Sequence, residues 1–124
     1  MKRRFYAIAA TVITAVCAYG QTDISEEECA DMIVKYGKRI QIVDVRTKAE
    51  YDLGHIDDAV LIDWKGGNFE NEAKKKLNKR KRTIVYCRSG VRSSAAMKKM
   101  NEMGFKRVYN MRGGYKAWSS KFHK

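Results

Sequence analysis

Thr83-Ile84-Val85-Tyr86 leads directly into Cys87-Arg88-Ser89-Gly90-Val91-Arg92, so that an apolar run ends in a short polar loop headed by a cysteine. The run is apolar, rich in β-branched residues and too short for a helix, which predicts a buried strand. After the loop, apolar residues recur at helical spacing from Ser93 to a stop at Gly104, which predicts a helix. Cys87 is therefore expected at the carboxyl end of a strand, on a tight turn into a helix.

This position favours a reactive cysteine over a structural one. Backbone N–H groups of a tight loop and the positive end of a helix dipole stabilise a thiolate and provide a docking place for an oxyanion. Arg88 and Arg92 add two positive charges to the same loop. The sequence thus predicts Cys87 as the catalytic residue. The predicted substrate-binding residues are the rest of the loop: Arg88, Ser89, Gly90, Val91 and Arg92.

The remainder of the chain alternates predicted strands with predicted helices. Further strands are expected at 40–45, 59–62 and 107–109, and helices at 49–53, at 69–77 and from Tyr115. Another helix follows Ser25, which forms a capping box with Glu28. This alternation predicts a single α/β domain whose central sheet is mainly parallel and is flanked by helices on both faces. A chain of 124 residues has no room for a second core.

Three separated motifs resemble the rhodanese (sulfurtransferase) family. The family's upstream signature is similar to Asp44-Val45-Arg46 followed by Glu50-Tyr51-Asp52-Leu53-Gly54-His55-Ile56. The cysteine loop resembles its catalytic signature. The closing signature is similar to Gly113-Gly114-Tyr115-Lys116-Ala117-Trp118. Together they cover about residues 23–122 in the family's order. One departure is Asp58, where the family commonly has glycine, and aspartate tolerates the left-handed backbone that glycine would supply.

The resemblance implies a double displacement through a persulfide on Cys87, with no cofactor. Thiosulfate or a similar small anionic sulfur donor gives its outer sulfur to the thiolate, and a thiol or protein-cysteine acceptor removes it. Loop amides stabilise the persulfide, while Arg88 and Arg92 hold the sulfonate of the donor. Asp44 and Arg46 lie at the carboxyl end of a neighbouring predicted strand, where ligands bind in such folds. They are expected to support the site, with an Arg46–Glu50 ion pair fixing the loop beside it.

Two other functions remain open from the sequence. Cysteine-dependent phosphatases and arsenate reductases of related fold also cradle an oxyanion with loop amides and an arginine, but their loop is generally one residue longer. Arg92 is the fifth residue after Cys87, one short of that spacing. The second alternative is a sulfur carrier or binding module that loads sulfur without turning over.

The first twenty residues predict export. Met1-Lys2-Arg3-Arg4 is basic, and residues 5–20 are uncharged and mostly apolar, ending in Ala18-Tyr19-Gly20, a typical signal-peptide pattern. We expect 1–20 to be a signal peptide and 21–124 the domain, which places the protein in the periplasm of a bacterium. The alternatives are an uncleaved membrane anchor, although sixteen apolar residues fall short of the ~20 that span a bilayer, and a lipoprotein acylated at Cys17.

The remaining cysteine and His55 have structural explanations. Cys29 lies on the apolar face of a predicted helix with Met32, Ile33 and Tyr36, which favours a buried hydrophobe over a disulfide partner of Cys87. His55 in a turn is more typical of a hydrogen-bonded structural residue than of a general base. With few histidines in the chain, no metal site is predicted.

The chain is basic, with a formal net charge of +12, and much of this charge lies in the run 74–82. Composition alone allows a nucleic-acid partner. Export argues against one, and the run is interpreted as a solvated helix face. The positive field should attract small anions to the loop. We expect a monomer that binds no nucleic acid and meets a membrane only if the signal segment stays uncleaved.

Overall fold

Five strands form one parallel sheet in the computed structural model, which describes residues 22–122. The strands are β1 (Thr22–Ile24), β2 (Ile40–Asp44), β3 (Val60–Leu61), β4 (Arg82–Tyr86) and β5 (Val108–Met111). Their order across the sheet is β1-β5-β4-β2-β3, and every neighbouring pair is parallel. The predicted signal peptide and its cleavage before Gln21 lie outside the described residues. No helix within 22–122 is long and apolar enough to cross a membrane.

Four α-helices connect the strands, and a fifth follows β5. They are α1 (Glu26–Tyr36), α2 (Lys48–Leu53), α3 (Phe69–Lys76), α4 (Val91–Glu102) and α5 (Gly114–Phe122). Single 3₁₀ turns precede β2 (Gly37–Arg39) and follow β3 (Trp64–Gly66). The predicted capping box of α1 is present: the Ser25 hydroxyl accepts from the Glu28 N–H, and the Glu28 carboxylate accepts from the Ser25 N–H. Thr47 and Glu50 form a second box at the start of α2, so both helices begin where side chains satisfy free amides.

The sheet is buried on both faces, as predicted, and each face has its own hydrophobic core. Along β4 the side chains alternate, since Val85 and the following Cys87 enter one core while Ile84 and Tyr86 enter the other. Helices α3 and α4 cover the first core, and helices α1, α2 and α5 cover the second. The α/β architecture with helices on both faces is therefore confirmed.

Most predicted boundaries shift by one or two residues, and three differences bear on the site or the sheet. Strand β1 was not predicted from the sequence, because three residues with one buried side chain, Ile24, carry too little periodicity. Helix α3 ends before Leu77, whose backbone is extended although its side chain still packs on the core. Helix α4 begins two residues earlier than Ser93, directly after Gly90. The cysteine loop is correspondingly tight.

Strand register brings the two upstream motifs together. Asp44 at the end of β2 lies opposite Tyr86 at the end of β4, so the carboxyl ends of these neighbouring strands meet at one edge of the sheet. Cys87 follows Tyr86 directly, and Val45 donates its N–H to the Tyr86 carbonyl at 2.9 Å. This edge carries the candidate site.

Candidate active site

The Cys87 sulfur is enclosed by its own loop. The residue is 1% exposed, and its Sγ accepts hydrogen bonds from the Gly90 N–H at 3.1 Å and from the Ser93 hydroxyl at 3.4 Å. Gly90 adopts φ +97°, a left-handed conformation that few other residues reach and that turns its amide toward the sulfur. Ser93 lies in the first turn of α4. The loop is thus shaped to hold a sulfur anion.

The two described cysteines differ in acidity. Burial raises the pKa of the Cys87 thiol, but hydrogen bonds from the Ser93 hydroxyl and from the amides of Ser93, Ser89 and Gly90 outweigh it, so its pKa lies below the ordinary value. Cys29 is buried without such donors, and burial together with nearby Glu28 and Glu26 raises its pKa to about 12. Cys87 is therefore the more acidic of the two thiols, because donors to its sulfur favour the thiolate.

Removing the Ser93 hydroxyl is expected to raise the pKa of Cys87. The folded pKa is depressed because donors favour the thiolate, and alkylation follows the thiolate fraction. In wild type, the rate of iodoacetamide alkylation should reach half its plateau at a pH below the pKa of a free cysteine, ~8.5. In Ser93→Ala the half-plateau should move to higher pH, with a several-fold slower rate at neutral pH. The matched control is Ser94→Ala, because that serine is the exposed neighbour; equal shifts in both variants would contradict this role of Ser93.

The two loop arginines have different surroundings. Arg92 donates from Nη1 and Nη2 to both carboxylate oxygens of Glu50, at 2.8 and 3.0 Å. This hydrogen-bonded pair lowers the pKa of Glu50 to about 2. Arg88 is exposed and lines a cavity of about 310 Å³ together with Lys116. Arg88 thus faces solvent, whereas the guanidinium of Arg92 is held against α2.

The expected Arg46–Glu50 ion pair is not formed, because each partner pairs with another residue. Arg46 donates to the Asp44 carboxylate through Nη2 at 2.7 Å and through Nε at 3.0 Å, and both side chains are buried. Its Nη2 also donates to the Gly54 carbonyl at 2.7 Å. Its guanidinium lies over the Tyr115 ring, 4.4 Å from the centroid. Asp44 and Arg46 therefore join the ends of β2, α2 and α5 below the loop.

Helix α5 braces the cysteine loop from the other side. The Tyr115 N–H donates to the Cys87 carbonyl at 2.8 Å, and the Lys116 N–H donates to the Arg88 carbonyl at 3.1 Å. Gly114 makes this approach possible, since a Cβ atom there would lie 2.1 Å from the Arg88 carbonyl oxygen. The double glycine of the third motif thus lets a helix N-terminus touch the backbone of the loop.

The predicted site residues line two separate cavities. Arg88 lines the cavity of about 310 Å³ with Arg46, while Ser89, Gly90 and Val91 line another of about 550 Å³ on the other side of the loop. A third cavity of about 860 Å³ is larger, but it lies between α1 and the β2–β3 edge and touches no loop residue. We assign the chemistry to the loop, because the acidic thiol lies there.

Among residues 22–122, no three His, Cys, Asp or Glu side chains lie together in a group that would hold a metal ion. His55 has its Nδ1 at 2.9 Å from the Tyr51 carbonyl oxygen, and its ring stacks on the Tyr51 ring, which fits the structural role expected for it. His123 lies outside the described range. Sequence reasoning missed Ser93 as a site residue; its signal was a hydroxyl in the first helical turn after the loop, where side chains point back toward the helix start.

The chain is similar to a known protein family and to several of its members. A family model described as "Rhodanese-like domain" matches residues 25–121. "Thiosulfate sulfurtransferase GlpE" of Coxiella burnetii is 32% identical over 97 residues, which cover 78% of this chain and 86% of that protein. "Probable adenylyltransferase/sulfurtransferase MoeZ" of Mycobacterium tuberculosis is 34% identical over 105 residues, 85% of this chain; the chain spans about a quarter (26%) of that relative.

Solved structures agree in fold. The crystal structure of a rhodanese-like domain protein from Staphylococcus aureus superposes with a TM-score of 0.67 at 30% identity, covering 78% of this chain and 90% of that one. The region that the family model matches, residues 25–121, includes the elements that hold the cysteine loop.

Proposed function

The chain belongs to the rhodanese-like domain family, and from that premise we propose that it is a sulfurtransferase acting through a persulfide on Cys87. Relatives named sulfurtransferases support transfer of sulfur as the reaction class. The observation that carries the proposal is the Cys87 sulfur held by the Gly90 amide and the Ser93 hydroxyl. These donors stabilise negative charge on sulfur, which both the attacking thiolate and the persulfide product carry.

The first half-reaction loads the cysteine. The Cys87 thiolate attacks the outer sulfur of thiosulfate, a new S–S bond forms, and the donor's own S–S bond breaks. Sulfite leaves with the electron pair of that bond, so no general acid is required. In the second half-reaction a thiolate acceptor, or cyanide in the laboratory, attacks the outer sulfur and leaves Cys87 again as a thiolate. Atoms and charges balance in both steps without a cofactor.

Two exposed cations support an anionic donor. Arg88 and Lys116 line the same cavity beside the loop, and neither forms an ion pair among the described residues. An unpaired cation at a partly enclosed surface attracts a sulfonate without first releasing a carboxylate. Arg92, held by Glu50 at 2.8 Å, instead fixes the first turn of α4 against α2. We assign donor binding to Arg88 and a positioning role to Arg92.

Intact mass spectrometry after incubation with thiosulfate tests the proposal. We expect the chain to gain one sulfur atom, the gain to map to Cys87, and cyanide to reverse it. A Cys29→Ala variant is the control and should load equally, because its thiol is buried on the other face of the sheet. Sulfur that maps to Cys29, or a chain that stays unloaded, would overturn the mechanism. Steady hydrolysis of a small aryl phosphate without sulfur loading would favour the phosphatase alternative instead.

A further inference from the structure

The edge of the sheet opposite Cys87 is strongly basic. The chain segments that lead into β2, β4 and β5, together with the first residue of β4, contain eight cationic residues and no carboxylate. Because the three strands are parallel neighbours, with Ile40 opposite Arg82 and Thr83 opposite Val108, these segments lie side by side. We call them the basic pole: Lys38, Arg39, Lys79, Arg80, Lys81, Arg82, Lys106 and Arg107.

The cations of the basic pole are not neutralised within the described chain. The ion pairs of residues 22–122 involve other cations, such as Lys74 and Lys76 on α3. Arg39 and Arg82 lie over the Tyr36 ring at 5.4 and 4.2 Å, and Arg107 donates to a backbone carbonyl. Such contacts fix positions but leave the positive charge uncompensated. An isolated solvated helix face would not bring three separate loops of one sign together.

The amino-terminal part of the chain joins the domain at this same edge. Strand β1 is parallel to β5, with Thr22 opposite Tyr109, so Thr22 lies near the amino ends of the strands. The residues before it in sequence include the uncharged, mostly apolar stretch 5–20. Cys87 lies at the far end of β4, whose five residues span about 16 Å at 3.3 Å each. The described chain therefore enters the domain at the edge that carries the basic pole and not at the edge that carries the active site.

We propose that the basic pole is a docking surface for an anionic phospholipid bilayer, with the cysteine loop turned away from the membrane. Each lysine or arginine near an anionic membrane surface strengthens binding. In a chain whose amino-terminal segment stays uncleaved, that apolar segment would supply the second signal that stable peripheral attachment needs. Asp57 and Asp58 line a cavity together with Lys38 and Lys81, so two carboxylates border the pole on its β3 side. The eight cations of the pole outnumber them and form no ion pair with them among residues 22–122.

Vesicle binding by the full 124-residue chain tests this docking surface. The probes are phosphatidylcholine vesicles with and without phosphatidylglycerol. The measured quantity is the partition coefficient with phosphatidylglycerol divided by the one without it. Residues 5–20 are uncharged, so their contribution to both coefficients cancels in this ratio. We expect a ratio of about tenfold or more at 50 mM salt, falling toward one at 300 mM because salt screens exposed charges. A ratio near one at low salt would overturn the proposal.

Paired charge reversals locate the effect. Arg80→Glu with Lys106→Glu changes two exposed cations of the pole, and the control, Lys65→Glu with Lys98→Glu, makes the same charge change away from it. The pole variant should lose at least about tenfold in the ratio, and the control less than threefold. Equal losses would show that net charge alone is responsible and would overturn the docking surface. So would binding of duplex nucleic acid through the pole without any preference for anionic vesicles.

The orientation has its own readout, which does not depend on sulfur transfer. Iodoacetamide should alkylate Cys87 at the same rate on anionic vesicles as in solution, because the loop faces away from the bilayer. Strong protection of Cys87 on vesicles would contradict the orientation. Since alkylation needs only an accessible thiolate, failure of the sulfurtransferase proposal would leave this result unchanged.

Discussion

Replacing Cys87 with alanine is expected to lower thiocyanate formation from thiosulfate and cyanide by about 10³-fold or more. The persulfide requires a nucleophilic sulfur, and a covalent intermediate cannot be replaced by binding alone. The other described thiol, Cys29, is fully buried in the opposite core, and its pKa is raised to about 12. Steady-state thiocyanate release under saturating donor and acceptor measures the effect.

The matched control is Cys29→Ala, which removes a buried thiol of the same size without touching the loop. Its turnover should stay close to wild type, although its stability should fall by about 1–2 kcal/mol because a buried side chain becomes smaller. If Cys87→Ala retained a tenth or more of wild-type turnover, the persulfide route would be wrong. A wild-type chain that loads one sulfur and then releases no thiocyanate would instead be a carrier.

Replacing Gly114 with alanine is expected to lower the free energy of unfolding by about 3 kcal/mol or more and to disrupt the cysteine loop. A Cβ atom there would lie 2.1 Å from the Arg88 carbonyl oxygen and 2.6 Å from the Ser89 nitrogen. Both contacts are with backbone, so α5 would have to move away and lose its hydrogen bonds to the carbonyls of Cys87 and Arg88. Urea denaturation measures the loss as a lower midpoint.

Gly114 has a positive φ, +67°, so its replacement combines backbone strain with the steric clash of the new Cβ atom. Gly67→Ala separates these two causes, because Gly67 also has a positive φ, +83°, but a Cβ atom there would meet nothing within 4 Å. Its variant should lose only the conformational preference of glycine, about 1 kcal/mol. Sulfur loading should survive in Gly67→Ala and fall sharply in Gly114→Ala. Similar losses of stability in the two variants would show that the close approach of α5 to the loop contributes little.

Local sequence patterns predicted the elements that carry strong local signals. The apolar run of β4, the helical spacing after Cys87 and the Ser25–Glu28 capping box each depend on neighbouring residues, and each is present. Asp58 has φ +68°, in agreement with a left-handed backbone where the family commonly has glycine. Strand β1 was missed because an edge strand of three residues is held by its pairing with β5 rather than by its own pattern.

Ion-pair partners were predicted poorly because they depend on tertiary contacts. The spacing of Arg46 and Glu50 suggests an i, i+4 pair, but Arg46 precedes the helix cap Thr47 and does not lie on α2. Its guanidinium turns back to Asp44, while Glu50 meets Arg92 from 42 residues further along the chain. No local rule indicates a partner at that separation. The same holds for the contact of Gly114 with the Arg88 carbonyl, which only the packed helix reveals.

The division of the interior into two cores has a consequence for how long a loaded sulfur lasts. Cys29 and Cys87 are both free and lie on opposite faces of the sheet, so the sheet separates the two thiols. Within residues 22–122, Cys87 thus has no resolving thiol that would close an internal disulfide and expel the sulfur. If Cys87 carries the proposed persulfide, Cys29 cannot discharge it, and we expect an outside thiol to remove the sulfur. Supply of that acceptor would then set the rate of release.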